Sequence, residues 1–258
     1  MRLLEFRNDV FSQNGEDGVI AELLQRLGID SSGDRWCVEF GAWNGKHLSN
    51  TFHLVKSADW NAIYIEGDPT KYTELERTAR EYSRVRPIKA MVTGESGSGS
   101  TLDELLIGTE LPTDYDLLSI DIDSSDLDVW AHHRDFRPKV VVIEINSSIP
   151  PGVLQWHSSA RQFGSSFSST LNVAHKKGYT LVCHTGNLIL VRNEMVDAVG
   201  LPDIDREFPE RLFIWDWVNR RSSFKGRMVD FAFGMGRRLP TPAKDAIQNT
   251  FFVDESNG

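Results

Sequence analysis

Thr180–Arg192 reads TLVCHTGNLILVR: two apolar runs, TLVCH and LILVR, with only Thr185, Gly186 and Asn187 between them. So short a connection permits a hairpin and therefore an antiparallel pair, because parallel strands need a crossover of a dozen residues or more. Upstream, apolar runs occur at Trp36–Phe40, Ala62–Ile65, Val85–Val92, Leu117–Ile122 and Lys139–Ile145. Helical candidates alternate with them at Asp17–Leu27, Leu48–Lys56, Lys71–Glu81, Thr101–Leu106, Leu127–His133 and Ser168–Lys177. In the first of these, apolar residues at 19, 20, 23, 24 and 27 follow the helical period. Val- and Ile-rich strands alternating with helices imply a mainly parallel sheet covered on both faces. The expected fold is a Rossmann-like α/β sheet of seven strands, mostly parallel and closed by an antiparallel hairpin. An ordinary dinucleotide-binding fold would end on another parallel strand.

The chain has 258 residues, 40% hydrophobic and 25% charged, enough for a core without disulfides or a structural metal. Cys37 and Cys183 lie in separate apolar runs and read as core residues, a usage that fits a reducing compartment. The N-terminus shows no secretory h-region and no stretch reaches membrane-spanning length, so a cytoplasmic protein without membrane contact is expected. A net charge of −9 argues against nucleic acid as a partner. The expected division is a ligand-binding domain over 1–200 and an aromatic and basic extension over 201–258 in the same globule. That extension carries LFIWDWV at Leu212–Val218, Phe231–Met235, and the cations Arg220, Arg221, Lys225, Arg227, Arg237 and Arg238. Its apolar side chains read as a lid over an acceptor pocket or a homodimer contact, the cations as surface residues.

The first strand runs into Glu39-Phe40-Gly41-Ala42-Trp43-Asn44-Gly45. Glycines at a strand-to-helix turn let the backbone approach a ligand, and an acidic residue there can anchor an amine or hydroxyl. The spacing is not G-x-G-x-x-G, which disfavours a pyrophosphate and hence NAD or FAD. The second strand ends at Glu66, about 20 residues beyond the glycines, where a carboxylate can grip both ribose hydroxyls. Asp68 and Pro69 then supply an N-cap and an N1 proline.

Ser12–Asp17 (SQNGED), Val38–Gly45 (VEFGAWNG), Ile63–Pro69 (IYIEGDP), Leu117–Asp123 (LLSIDID) and Val140–Asn146 (VVVIEIN), taken together, resemble FkbM-like methyltransferases. The resemblance covers roughly residues 10–195. It implies the class I methyltransferase fold, S-adenosylmethionine as donor, and O-methylation of a small molecule such as a sugar or natural product. On that resemblance Glu39, Gly41 and Gly45 hold the methionine part and Glu66 the ribose. Gln13, Asn44, Ser49, Gly67 and Asp121 complete the expected cofactor set, with Ser12 and Gln13 closing over the amino-acid end. The chain departs from the family at Ile122-Asp123-Ser124, where Val-Glu-Gly is usual, so the acceptor does not carry over.

Asp121, Asp123, Asp126, Glu144 and Asn146 follow the fourth and fifth strands, whose ends share the ligand edge of a parallel sheet. Converging carboxylates with no His or Cys suit Mg²⁺. The arrangement is similar to catechol and macrocin O-methyltransferases, which implies Asp121, Glu144 and Asn146 as ligands, with Asp123 or Asp126 as a further one. The alternative is that Asp121 contacts the cofactor, Asp126 caps a helix and Glu144 meets the acceptor directly. Asp126 and His157 are the candidate bases for an acceptor hydroxyl; His132 and His133 read as surface residues. Glu16 and Asp17 are accounted for by the dipole of the helix they begin. Phe163–Ser166 opens the next helix or lines the acceptor pocket. N-methylation of an amine or peptide, and a non-catalytic S-adenosylmethionine-binding protein, remain the competing functions.

Overall fold

The computed structural model describes residues 1–29, 34–95, 99–122, 124–157 and 163–219. The chain divides into two compact units, Met1–Ile214 and Trp215–Gly258. In the second, the described residues include one short helix, Asp216–Asn219 (α9). The basic cluster and Phe231–Met235 lie outside the described residues.

The first unit begins with α1 (Glu16–Arg26), then β1 (Trp36–Phe40), α2 (Phe52–Ala58), β2 (Asn61–Glu66), α3 (Pro69–Glu81) and β3 (Val85–Lys89). A small parallel ribbon, β4 (Val92–Thr93) with β5 (Ser100–Thr101), precedes α4 (Leu102–Leu106). Next come β6 (Leu117–Ile120), α5 (Asp126–His132), β7 (Val140–Glu144), α6 (Phe167–Lys177), β8 (Tyr179–His184) and β9 (Asn187–Arg192). Short helices α7 (Val196–Val199) and α8 (Asp203–Glu207) follow.

The sheet has seven strands in the order β3-β2-β1-β6-β7-β9-β8. The first five are mutually parallel, and β9 pairs antiparallel with both β7 and β8. This is the mostly parallel, hairpin-closed sheet that the alternation and the TLVCHTGNLILVR turn require. The turn is tighter than the apolar runs suggest, since pairing extends through His184 and Asn187 and leaves only Thr185 and Gly186 between the strands.

Every residue of β1 and β9 is buried, as expected of strands covered on both faces. Val19, Ile20, Leu23 and Leu24 of α1 are at most 1% exposed, the helical stripe read from the sequence. Each such side chain contributes about 1.5–3 kcal/mol through burial. One helix starts later than its apolar pattern suggests: α2 begins at Phe52, and Leu48 takes a left-handed φ of 57°. The reason is polar: the Ser49 hydroxyl accepts the N–H groups of Thr51 (3.2 Å) and Phe52 (3.0 Å), so the helix nucleates there. No helix among the described residues is long and apolar enough to cross a membrane.

Candidate active site

Register places the candidate residues in one row. Ile65, Phe40, Ile120 and Ile143 are partners across β2, β1, β6 and β7. The next residues along each chain, Glu66, Gly41, Asp121 and Glu144, therefore stand side by side at the carboxyl edge. With neighbouring strands about 4.8 Å apart, Glu66 and Glu144 are separated by roughly 14 Å, and Asp121 adjoins Glu144. The edge thus has two halves, one around Glu66 and one around Asp121 and Glu144.

On the first half, Gly41 has φ +77°, and a Cβ there would lie 1.8 Å from the Asp121 carbonyl oxygen. The glycine is what lets two strand ends and a turn share this space. Gly45 also has a left-handed φ (+77°), and a Cβ there would come 2.8 Å from the Leu75 side chain. Glu66 is 7% exposed; its Oε2 accepts the Trp43 N–H at 2.8 Å and its Oε1 the Asp68 N–H at 2.7 Å. Each carboxylate oxygen keeps a second acceptor site. Asp68 caps α3 through the N–H groups of Thr70 (2.7 Å) and Lys71 (3.0 Å), with Pro69 at N1, as the sequence indicates. Beside it Gly67 packs against Met91, which a Cβ would approach to 2.2 Å.

Glu39 is 3% exposed, and its carboxylate is committed to the turn before α2. It accepts from the Ser49 hydroxyl (2.6 Å), the Asn50 N–H (3.2 Å) and the Thr51 hydroxyl. Burial pushes its carboxyl above the usual carboxylate range, and the Ser49 and Thr51 hydrogen bonds pull the other way. Asn44 is similarly spent on its own turn, its Oδ1 accepting the N–H groups of Lys46 (3.0 Å) and His47 (2.9 Å). Glu39, Asn44 and Ser49 therefore shape the glycine turn.

The SQNGED acids do more than complement a helix dipole. Asp17 gathers the N–H groups of Val10 (2.9 Å), Phe11 (2.8 Å) and Ser12 (2.7 Å) and the Ser12 hydroxyl (2.7 Å) on one oxygen. Glu16, fully buried, accepts the Thr185 hydroxyl (2.6 Å), the Asn187 amide (3.3 Å) and the Asn14 N–H (2.9 Å). It ties α1 to the turn of the closing hairpin, where Asn187 pairs with Glu144. Gln13 is half-buried between these anchors.

On the second half, Asp121 and Glu144 are half-buried. Asp126 is 4% exposed and accepts the N–H groups of Ile122 (2.7 Å) and Ser124 (2.9 Å), a role in shaping the loop after β6. Asp123 lies outside the described residues. Asn146 is consumed at both ends: its Nδ2 donates to the Phe163 carbonyl (2.9 Å), and its Oδ1 accepts the Ser148 hydroxyl (2.6 Å) and N–H (3.2 Å). Among the described residues no three carboxylate, histidine or cysteine side chains come together as metal ligands. With its amide oxygen already occupied, Asn146 does not fit the Mg²⁺ site expected from Asp121, Glu144 and Asn146, and no metal step is drawn from this edge.

His157 also serves the loop: the Gly164 N–H donates to its Nδ1 (3.2 Å), and its own N–H donates to the Ser165 hydroxyl (3.3 Å). The Gly164 N–H thus occupies the Nδ1 side of the ring. The serines of FGSSFSST bind the segment after β7. Ser168 accepts the Gly152 N–H (2.7 Å), Ser166 donates to the Val153 carbonyl (2.7 Å), and Ser166 and Ser169 receive the Gln155 N–H (3.1 and 3.0 Å).

No protein-family model matches the chain, and no curated protein matches it. Solved structures do match. A Galdieria sulphuraria protein provisionally described as a sarcosine dimethylglycine methyltransferase is 14% identical over 64% of this chain, with a TM-score of 0.44. The chain spans 62% of that protein's length. A Staphylococcus aureus protein provisionally described as a caffeoyl-CoA O-methyltransferase is 14% identical over 72% of this chain and 86% of its own, TM-score 0.45. M. capricolum TrmK, in complex with S-adenosyl-homocysteine, is 10% identical over 89% and 92%, TM-score 0.41.

Two histidines show what the sequence concealed. His133, expected at the surface, is the C-cap of α5 and is 3% exposed, with its Nδ1 2.6 Å from Asp103 Oδ1. His184, at the end of β8, is 1% exposed. Its Nδ1 accepts the Ile214 N–H (2.9 Å), its Nε2 lies 2.9 Å from the Ser147 hydroxyl, and its ring stacks on Phe213 at 4.8 Å. Leu212 and Phe213, read as part of a lid or dimer contact, are buried within the first unit. The pattern of β8 marks His184 as a strand end but carries no sign of a partner 30 residues away.

Proposed function

We propose that the chain is an S-adenosylmethionine-dependent methyltransferase that methylates an oxygen of a small polyoxygenated molecule. The observation that carries this reading is the Glu66 carboxylate. It stands at the tip of β2, 7% exposed, with one backbone N–H on each oxygen and one acceptor site left on each. A vicinal ribose diol presents two donors to such a carboxylate. The 14 Å or so between Glu66 and Glu144 matches a division of labour: nucleoside on one half, acceptor on the other.

The chemistry asks little of the protein. The sulfonium already activates the methyl group, so the site must hold an acceptor oxygen in line with it and receive a proton. Glu144, at the tip of β7, is the carboxylate we assign to the acceptor hydroxyl, with Asp121 beside it. Asp126 and His157 hold the surrounding loops, and Gln13 reaches the amino-acid end of the cofactor. Buried, unpaired Cys37 and Cys183 accord with a cytoplasmic enzyme.

The test is calorimetry with S-adenosylhomocysteine, followed by turnover of methyl-labelled donor on a panel of sugars and polyols. Glu66→Ala should weaken S-adenosylhomocysteine by at least about 1.5 kcal/mol, through loss of charge-assisted hydrogen bonds. Glu144→Ala should lower turnover by orders of magnitude while leaving that affinity within about threefold. Turnover should survive EDTA. Binding of NADH in place of S-adenosylhomocysteine would end the reading; a labelled methyl on nitrogen would correct the acceptor.

A further inference from the structure

We infer that the left-handed backbone of Trp43 aims the Glu66 carboxylate at the ribose diol, making Trp43 a positioning residue; this rests on the methyltransferase reading above. Trp43 has φ 49°, a region a bulky residue rarely occupies. Such outliers persist only where the surroundings enforce them. Here they do so twice. The Trp43 N–H donates to Glu66 Oε2 at 2.8 Å, opposite the Asp68 N–H on Oε1 at 2.7 Å. The carboxylate is thus gripped from the turn after β1 and the turn after β2, which fixes its plane. On the outside, the Lys71 ammonium sits 4.1 Å from the centre of the indole, and the His47 ring meets it edge-on at 5.1 Å. Lys71 is itself held at the start of α3, its N–H donating to Asp68 at 3.0 Å. The same two turns are therefore joined once through Glu66 and again through the Trp43–Lys71 contact.

A diol needs two acceptor sites at a set spacing and tilt, and an ungripped carboxylate would have to give up its rotation on binding. The backbone N–H does the aiming and the indole only braces the turn. A residue that takes the left-handed region freely should therefore serve in place of Trp43, and a β-branched one should not.

The experiment compares S-adenosylhomocysteine with its 2′-deoxyribose analogue by calorimetry, so that the ratio of affinities reads the diol contact alone. Wild type should prefer the ribose form by about tenfold, equivalent to about 1.4 kcal/mol. Trp43→Gly should keep that preference within about threefold, and Trp43→Val should lose most of it. Should Trp43→Val fail to fold, Trp43→Asn and Trp43→Ala form the corresponding pair, since Asn tolerates the left-handed region and Ala does not. A preference retained in the Val or Ala variant would overturn the inference. So would equal weakening of both ligands, which is the mark of a purely structural residue. If neither ligand binds wild type, the methyltransferase reading falls and takes this inference with it; if both bind and only the ratio disobeys, the methyltransferase reading stands.

Discussion

Gly41 and Gly108 separate two costs that a glycine can hide. Both have left-handed φ, +77° and +84°, but a Cβ at Gly108 would meet nothing within 4 Å, while at Gly41 it would strike the Asp121 carbonyl. Gly108→Ala should therefore cost only the backbone penalty, about 1–2 kcal/mol. Gly41→Ala must also push two strand ends apart, and should cost about 3 kcal/mol or more. Urea unfolding of the two variants measures the difference; equal losses would show that the turn at Gly41 can open without strain. At this scale the sequence is a partial guide. It marks Glu39 and Glu66 alike as acids at strand tips, yet Glu39 accepts three hydrogen bonds, two of them from the side chains of Ser49 and Thr51, whereas Glu66 accepts two, both from backbone N–H groups. The distinction depends on which turn folds back over which carboxylate.

The closing hairpin carries a pH dependence through His184. Burial alone pushes its pKa down from 6.5 to about 3, so the folded protein holds a neutral ring. Between those values the unfolded chain binds a proton that the folded one refuses. Stability from this residue is thus fully present above pH 6.5 and is lost progressively as pH falls towards 3. Protonation would place a donor against the Ile214 N–H and a charge beside Phe213. A shift of this size amounts to several kcal/mol, which thermal unfolding between pH 7 and pH 4 should register. His184→Phe leaves the Ile214 N–H unpaired, so it should be less stable at pH 7 yet show a flatter profile. A variant with the wild-type slope would assign the acid sensitivity to other groups. The strand itself was legible from TLVCH, but its clamp on Ile214 joins residues far apart in sequence, and no local period announces it.

For the molecule as a whole, the two halves of the sheet edge predict how ligands act on stability. Under the proposed function S-adenosylhomocysteine should bind the folded chain and not the unfolded one, so at 100 times its Kd it should add about 2.7 kcal/mol. A rise in Tm follows, and Glu66→Ala should reduce it at equal ligand concentration. NAD at the same concentration should leave Tm unchanged, because the turn at Gly41–Gly45 has no third glycine in register for a pyrophosphate. A larger shift with NAD than with S-adenosylhomocysteine would reverse the functional proposal. Glu16 gives this scale a further consequence. Its links to Thr185 and Asn187 connect the first helix to the last hairpin, so the N-terminal segment and the Glu144 half of the edge are braced as one.

The parallel sheet, the closing hairpin and the row of acids at one edge are legible in the chain. Those follow from local signals: apolar runs buried on both faces, a connection too short for a crossover, and strand ends that parallel pairing must bring together. What each polar group is free to do is set by the packing around it. The sequence suggests Asn146 as a metal ligand, but its amide is bound to Phe163 and Ser148; it suggests His157 as a base, but the ring holds Gly164; it suggests Glu16 as a dipole partner, but the carboxylate also clamps the hairpin. A carboxylate or imidazole is available to a substrate only if its lone pairs are not already filled by neighbouring N–H and O–H groups. Those neighbours come from turns whose paths the packing of the whole chain sets.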